Sequence, residues 1–331
     1  MGFLQSILGK NKHKNCYSEL AAHKVKDIMT RDVLCIHRED NLVDAAHTMI
    51  GAHVSCLVVL DEYKPIGIIT ERDFIKKMSM TEDSSEEMIV KDIMTRKLFT
   101  IEPDLDLFKA QEIMRNHNFR KLVIVEKDEI KGIITQTDLC RAVAGMKTMC
   151  PQPHKAKDAM TKKVLQVSED DKFSKAKKSM SSKNIGSVVV TEKKEIKGIF
   201  TEFDIVSGFF LNPNKLRKSY MRELMSKPVI CISPDFNLFE VNELMLKHNF
   251  RRLPVIDKGN LAGIITQTDI ARHLYKFIQE NKDEHEVKNK VSADYEIHKK
   301  GGMILYKKKH QEERDKKQRN NTIKKTLKKK L

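Results

Sequence analysis

The chain has 331 residues, of which 40% are apolar and 33% charged, with no Trp and a formal net charge of +16 at neutral pH. That length allows two or three domains with real cores, and no apolar run approaches the roughly 18–20 residues that a membrane-spanning helix needs. The charge is uneven: residues 306–331 hold twelve Lys/Arg against three Asp/Glu, which argues for a detachable basic tail rather than a uniformly basic nucleic-acid surface.

Residues 1–24 open with MGFLQSILGKNKHK. Phe3, Leu4, Ile7 and Leu8 share one helical face, and Lys10, Lys12 and Lys14 come next. The M-G-x-x-x-S start has the form of an N-myristoylation acceptor at Gly2, with the lysines as a second membrane signal. A short helix packed on the folded body of the chain accounts for the same residues. The apolar stretch at 3–8 is too short for a secretory signal. Cys16, Cys35, Cys56, Cys140, Cys150 and Cys231 show no CxxC or metal-ligand spacing, and read as reduced thiols of a cytoplasmic protein.

The body is periodic. GIITERD at 67–73 returns as GIITQTD at 132–138, GIFTEFD at 198–204 and GIITQTD at 263–269. A second marker keeps step: KDIMT at 26–30 and 91–95, KDAMT at 157–161 and RELMS at 222–226. Two markers holding one period through four copies define four repeats of one unit.

Each copy reads alike. After the Met turn comes an extended segment such as 33–36, then an acidic or Pro-containing break, then an amphipathic helix. In the second copy that helix places Leu107, Ala110, Ile113 and Met114 on one face, at the i, i+3, i+4 spacing of a packed stripe. An apolar run (57–60, 187–190) suits a buried strand. A charged turn such as 126–129 leads to a second strand ending in Gly-Ile-Ile-Thr, and a final helix starts near the aspartate. The expected class is α+β, with α/β-like β-α-β-β-α units. Each unit is too thin in core to stand alone and needs a partner.

The copies alternate. HNFRKLVIV at 117–125 matches HNFRRLPVI at 248–256, whereas copies one and three read HVSCLVVL at 53–60 and NIGSVVVT at 184–191. A duplicated two-copy module explains this, with the proline-broken CPQPH at 150–154 as its boundary. The expected layout is an N-terminal segment at 1–24, module one at 25–145 (copies 25–82 and 88–145), a linker at 146–156, and module two at 157–280 (copies 157–211 and 219–280). A tail at 281–331 ends the chain, with a small hairpin near 294–306 and then helix or disorder.

Thr70-x-x-Asp73 at a strand-to-helix turn has two readings. One is a capping box, worth about 1 kcal/mol. The other is a carboxylate that accepts from ribose hydroxyls, with the preceding glycine allowing close approach of a ligand or another backbone. Paired cations sharpen the second reading. Even copies carry Arg120-Lys121 and Arg251-Arg252 just before the buried strand, where odd copies carry Ser55-Cys56 and Gly186-Ser187. Such pairs suit phosphate in a cleft, although they could also snorkel or pair with an acid. His117 and His248 stand nearby in sequence.

The DIMT turn, the strand-helix-strand order and the GIITxxD ending resemble the cystathionine-β-synthase (CBS) domain, over about residues 24–280. The resemblance implies four CBS motifs paired into two tandem Bateman modules. It implies adenosine compounds (AMP, ADP, ATP, or S-adenosylmethionine) as regulatory ligands in clefts between paired copies, and no other cofactor. Carried over by position, Thr70, Asp73, Thr135, Asp138, Thr201, Asp204, Thr266 and Asp269 become the ribose and phosphate candidates. Thr30, Thr95, Thr161 and Ser226 lie on the adenine side, and Arg120, Lys121, Arg251 and Arg252 face phosphate. Because the odd copies lack the basic pair, one occupied cleft per module is expected. The family also implies a flat four-domain disc, completed by one chain or by a homodimer.

The sequence contains no GxxxxGK[ST] loop, no HExxH and no nucleophile motif, so neither catalytic residues nor metal ligands are expected. The first functional expectation is a nucleotide-sensing signal-transduction protein acting on an unidentified partner protein. The second is an RNA- or DNA-binding or ribosome-associated protein using the basic tail by counterion release, with the modules as its switch.

Overall fold

The computed structural model describes residues 16–77, 88–148, 154–280, 295–300 and 303–308. Gly2 and the apolar stretch after it, residues 149–153 of the linker, and the tail beyond residue 308 lie outside the described residues.

A short helix α1 (Cys16–Ala22) precedes the repeats. Copy one comprises α2 (Val25–Ile28, the Met turn), β1 (Cys35–His37), α3 (Leu42–Gly51), β2 (Cys56–Asp61), β3 (Lys64–Thr70) and α4 (Glu71–Lys77). Copy two repeats this as α5 (Val90–Ile93), β4 (Leu98–Ile101), α6 (Leu107–Asn116), β5 (Lys121–Glu126), β6 (Glu129–Thr135) and α7 (Gln136–Ala142). Copy three has α8 (Ala156–Ala159), β7 (Gln166–Ser168), α9 (Phe173–Lys183), β8 (Ser187–Glu192), β9 (Glu195–Thr201) and α10 (Glu202–Leu211). The connection carries α11 (Pro213–Lys218). Copy four has α12 (Met221–Leu224), α13 (Leu238–Lys247), β10 (Arg252–Asp257), β11 (Asn260–Thr266) and α14 (Gln267–Glu280).

In copies one to three the first strand runs parallel to the second, which pairs antiparallel with the third. Copy four departs: its first strand is reduced to one bridge, Ile232 to Val255. The cause is Pro254. At the matching positions Val58 and Val189 donate their backbone N–H to Leu34 and Leu165, and proline has no N–H to donate.

The two period markers meet across each pair. Thr30 and Thr95 bridge to Ile133 and Ile68, and Thr161 and Ser226 to Ile264 and Ile199. The motif glycine sits under each bridge. A Cβ on Gly67 would lie 2.7 Å from the Thr95 carbonyl oxygen, and one on Gly132 would lie 2.8 Å from that of Thr30. The close approach allowed by glycine is therefore to the paired copy's Met turn, to its threonine backbone at Gly67, Gly132 and Gly263 and to its Met side chain at Gly132, Gly198 and Gly263.

The modules then pack on each other within one chain. One core joins copies one and three, where Phe74 and Phe209 meet edge to face at 5.6 Å. Another joins copies two and four with α1, where the Tyr275 hydroxyl donates to the Leu139 carbonyl. Helix α1 is anchored by Tyr17 stacked on Phe108.

Two expectations are corrected or extended. Cys16 is disulfide-bonded, not a reduced thiol, whereas Cys35, Cys56, Cys140 and Cys231 are free. The tail hairpin forms as β12 (Tyr295–Lys300) and β13 (Met303–Lys308), but it is not isolated. β13 lies parallel to β4, Met303 opposite Leu98 and Tyr306 opposite Ile101, so copy two owns a five-stranded sheet. An open strand edge invites such pairing.

Candidate functional site

All four aspartates are built alike at one oxygen. Oδ2 of Asp73, Asp138, Asp204 and Asp269 accepts from the backbone N–H and the hydroxyl of Thr70, Thr135, Thr201 and Thr266, at 2.6–2.9 Å. That is the reach-back half of a capping box, completed in copies two to four by the aspartate N–H donating to the threonine hydroxyl at 3.3–3.4 Å, and it leaves Oδ1 for another role. At Oδ1 the copies diverge. Thr95 donates to Asp73 at 2.9 Å, and Ser226 donates to Asp204 at 3.1 Å, each from the paired copy's Met turn. Asp138 instead takes Arg141 of its own helix at 2.8 Å. Asp269 Oδ1 receives no hydrogen bond among the described residues. Burial pushes the Asp204 and Asp269 carboxyls above their ordinary value, against the hydrogen bonds from Thr201 and Thr266.

Two cavities collect these groups. The larger, about 750 Å³, joins the Asp73 cleft to the Asp269 cleft. Its Asp73 side is walled by Thr95, Leu98, Phe99 and Val123, with Arg120 and Lys121 beyond. The second, about 600 Å³, joins the Asp138 cleft to the Asp204 cleft, whose side carries Ser226, Val229, Arg251 and Arg252. The two odd-copy aspartates thus face the basic pairs of their own modules. The even-copy aspartates face Thr30 with His53–Cys56, and Thr161 with Asn184–Ser187. His117 stands in the larger cavity, its ring near Phe99 and Phe119. His248 stacks on Phe250 and lines neither cavity.

The basic pairs are split in use. Arg120 reaches across to the other module and donates to both carboxylate oxygens of Glu202, at 2.8 and 2.7 Å. Arg251 makes a two-pronged bond to Glu71, at 2.7 and 2.8 Å. Arg72 adds a third contact, to Glu202 at 3.0 Å. The second members stay within their module and take neutral acceptors. Lys121 donates to the carbonyl and hydroxyl of Ser55 at 2.9 and 2.8 Å. Arg252 donates to the Gly186 carbonyl, with Glu202 3.9 Å away.

Glu202 is fully buried, which by itself raises a carboxyl's pKa. The guanidiniums of Arg120, Arg252 and Arg72 outweigh this and hold it well below the usual range. Arg252 is buried among other arginines, and its pKa is lowered to about 10 despite Glu202.

Sequence reasoning passed over Glu71 and Glu202, though a signal existed. The residue after the motif threonine is Glu in odd copies and Gln in even ones, Gln136 and Gln267. The alternation complements that of the basic pair, and the pairs run diagonally, copy two to three and copy four to one. Gln267 accepts instead from a neutral donor, the Thr137 hydroxyl, at 2.7 Å. Among the described residues, no group of three or more His, Cys, Asp or Glu could hold a metal ion, and no helix is long and apolar enough to cross a membrane.

A family model for the CBS domain matches residues 25–80, 90–145, 156–210 and 221–276. The chain belongs to the CBS-domain family. Among its relatives is the uncharacterised protein MJ1225 of Methanocaldococcus jannaschii, 28% identical over 211 residues, covering 60% of this chain and 75% of that protein. MJ1404 of the same organism is 27% identical over 267 residues, and the match spans 76% of this chain and 61% of MJ1404. The CBS domain-containing protein YhcV of Bacillus subtilis is 32% identical over 115 residues, 35% of this chain and 81% of YhcV. The crystal structure of MJ1225, described as a candidate archaeal homologue of g-AMPK, superposes with a TM-score of 0.68 at 20% identity, over 76% of this chain and all of that one. The likeness is one of fold.

Proposed function

We propose that this CBS-domain protein is a non-catalytic sensor of adenosine nucleotides, and that the Asp73 and Asp204 clefts are its sites. AMP, ADP or ATP is the ligand class, with S-adenosylmethionine as the competing compound. Asp73 and Asp204, with Thr70 and Thr201, take the ribose. The adenine lies toward Thr95 and Ser226, and phosphate lies toward the side of the cleft that carries the basic pair of the same module. The observation that carries this is the coincidence, in these two of the four clefts, of a motif carboxylate, a hydroxyl bonded to its free oxygen from the paired copy, and a basic pair. Binding draws the Met turn of one copy onto the motif of the other, and this closure is what a regulated partner protein reads.

Calorimetric titration with AMP, ADP, ATP and S-adenosylmethionine tests the reading, which fails if none binds below millimolar. Asn at this third helical position can still accept from the threonine N–H through its amide oxygen but loses the charge. Asp73→Asn and Asp204→Asn are therefore expected to weaken binding roughly 10–100-fold, the worth of hydrogen bonds to a charged group. Asp138→Asn and Asp269→Asn are expected to change it little. Equal losses in all four would remove the assignment to odd-copy clefts.

A second reading is favoured by one observation. β13 leads into the basic segment and pairs with β4, whose Leu98 and Phe99 wall the Asp73 cleft. A polyanion such as RNA bound by residues 307–330 would then be coupled to that cleft. RNA binding unchanged after deletion of residues 282–331 removes this reading.

A further inference from the structure

The adenosine-nucleotide reading leaves the diagonal glutamates unused. They are buried carboxylates reaching cations that stand beside the clefts, and they come from the opposite module. A buried charge survives only with a partner, and here each glutamate occupies an arginine where a ligand phosphate would otherwise sit. The second cation of each pair, Lys121 or Arg252, hydrogen-bonds neutral oxygens. Among the described residues Lys121 meets no carboxylate, and Arg252 has Glu202 only at 3.9 Å, beyond hydrogen-bond reach, so each basic pair offers one cation hydrogen-bonded to a carboxylate and one that is not.

We propose that Glu71 and Glu202 are built-in counter-anions that hold Arg251 and Arg120 in place of ligand phosphate, so that each module accepts one phosphate group, at Lys121 or Arg252, and discriminates against longer phosphate chains. This rests on the adenosine-nucleotide reading and specifies its ligand. A phosphate monoester carries about −1.5 to −2 at neutral pH, which one unmatched cation and the donors around it can meet. A chain extending further toward the centre encounters Arg120 or Arg251 already hydrogen-bonded to a carboxylate. To gain those arginines it must break a cross-module ion pair and leave Glu202 or Glu71 buried without its partner. Two other lysines of the larger cavity have contacts of their own. Lys77 is bonded to the Ile93 and Met94 carbonyls and lies 3.4 Å from Asp73, and Lys97 lies over the Phe99 ring. The glutamates thus set ligand class and join the modules by the same bonds.

The test is the ratio of AMP to ATP affinity, measured by calorimetry in one buffer without divalent metal. The wild-type chain is expected to bind AMP at least about 10-fold more tightly than ATP. Glu71→Gln/Glu202→Gln keeps the side-chain volume and frees both arginines, and is expected to shrink that ratio at least about 10-fold, mainly through tighter ATP binding. A wild-type ratio near one overturns the proposal without any variant, so the test survives a double variant that fails to fold. A double variant that folds, by near-ultraviolet circular dichroism, and keeps the wild-type ratio also overturns it. Both results leave adenosine binding standing, whereas no binding of any adenosine compound by the wild type overturns the underlying reading as well.

Discussion

Replacing Gly67 by Ala tests how the copies are held together. The added Cβ would stand 2.7 Å from the Thr95 carbonyl oxygen and 3.3 Å from the Met94 sulfur. The sulfur can move, but the carbonyl cannot do so freely. It accepts from Ile68 N–H at 3.0 Å, Thr95 N–H donates back to Ile68 at 2.8 Å, and the Thr95 hydroxyl is bonded to Asp73. Overpacking of this kind costs about 1–3 kcal/mol, and weakening the paired backbone bonds adds part of about 1 kcal/mol each. A destabilisation of about 2–3 kcal/mol is expected, read as a lowered midpoint in urea. Gly51 is the control. It ends α3 with nothing within 4 Å of a new Cβ, so Gly51→Ala is expected to be neutral or to stabilise by up to about 1 kcal/mol through helix propensity. The same exchange thus has opposite signs at two glycines. If Gly67→Ala shifts the midpoint no more than Gly51→Ala does, the close-approach account of the motif glycine is refuted. Nucleotide titration adds a second reading, since moving Thr95 should weaken the Asp73 cleft and spare that of Asp204.

Charge and burial give two further outcomes. Glu202 has a folded pKa below its ordinary value, so its contribution is present above about pH 4.3 and is lost as pH falls toward the folded value. The stability gap between wild type and Glu202→Gln, measured by denaturation, should therefore be widest near neutral pH and narrow below about pH 4; a gap constant down to pH 3 contradicts the ion-pair account. Among the cysteines, burial pushes the Cys140 thiol well up, whereas Cys35 is exposed. Maleimide at neutral pH should label Cys35 and spare Cys140 in the folded chain, and peptide mass mapping should find Cys16 unlabelled even after unfolding until a reductant is added.

Much of this was legible because it is local. The period, the β-α-β-β-α order and the Thr-x-x-Asp cap each depend on residues within a few positions of one another. The Met turn and the motif glycine could be counted, but not seen to touch. The alternation of Arg-Lys and Arg-Arg with Ser-Cys and Gly-Ser was visible, and pointed to the clefts that carry cations. The matching alternation of Glu71 and Glu202 with Gln136 and Gln267 was equally present, and had no meaning without knowing which copies lie diagonally opposite.

The sequence by itself therefore determined the repeat unit and its pairing into modules, because hydrophobic period, turn chemistry and capping act over short separations. Only the tertiary structure decided how the modules sit on each other. Packing copy one on three and copy two on four brings Arg120 to Glu202 and Arg251 to Glu71 across 82 and 180 residues of chain. It also decided the seat of the C-terminal hairpin, because the open edge of β4 accepts any strand in register and nothing in residues 295–308 names it. Long-range ion pairs and strand edges are satisfied by whatever the fold places opposite them, and that placement is a property of the assembled cores.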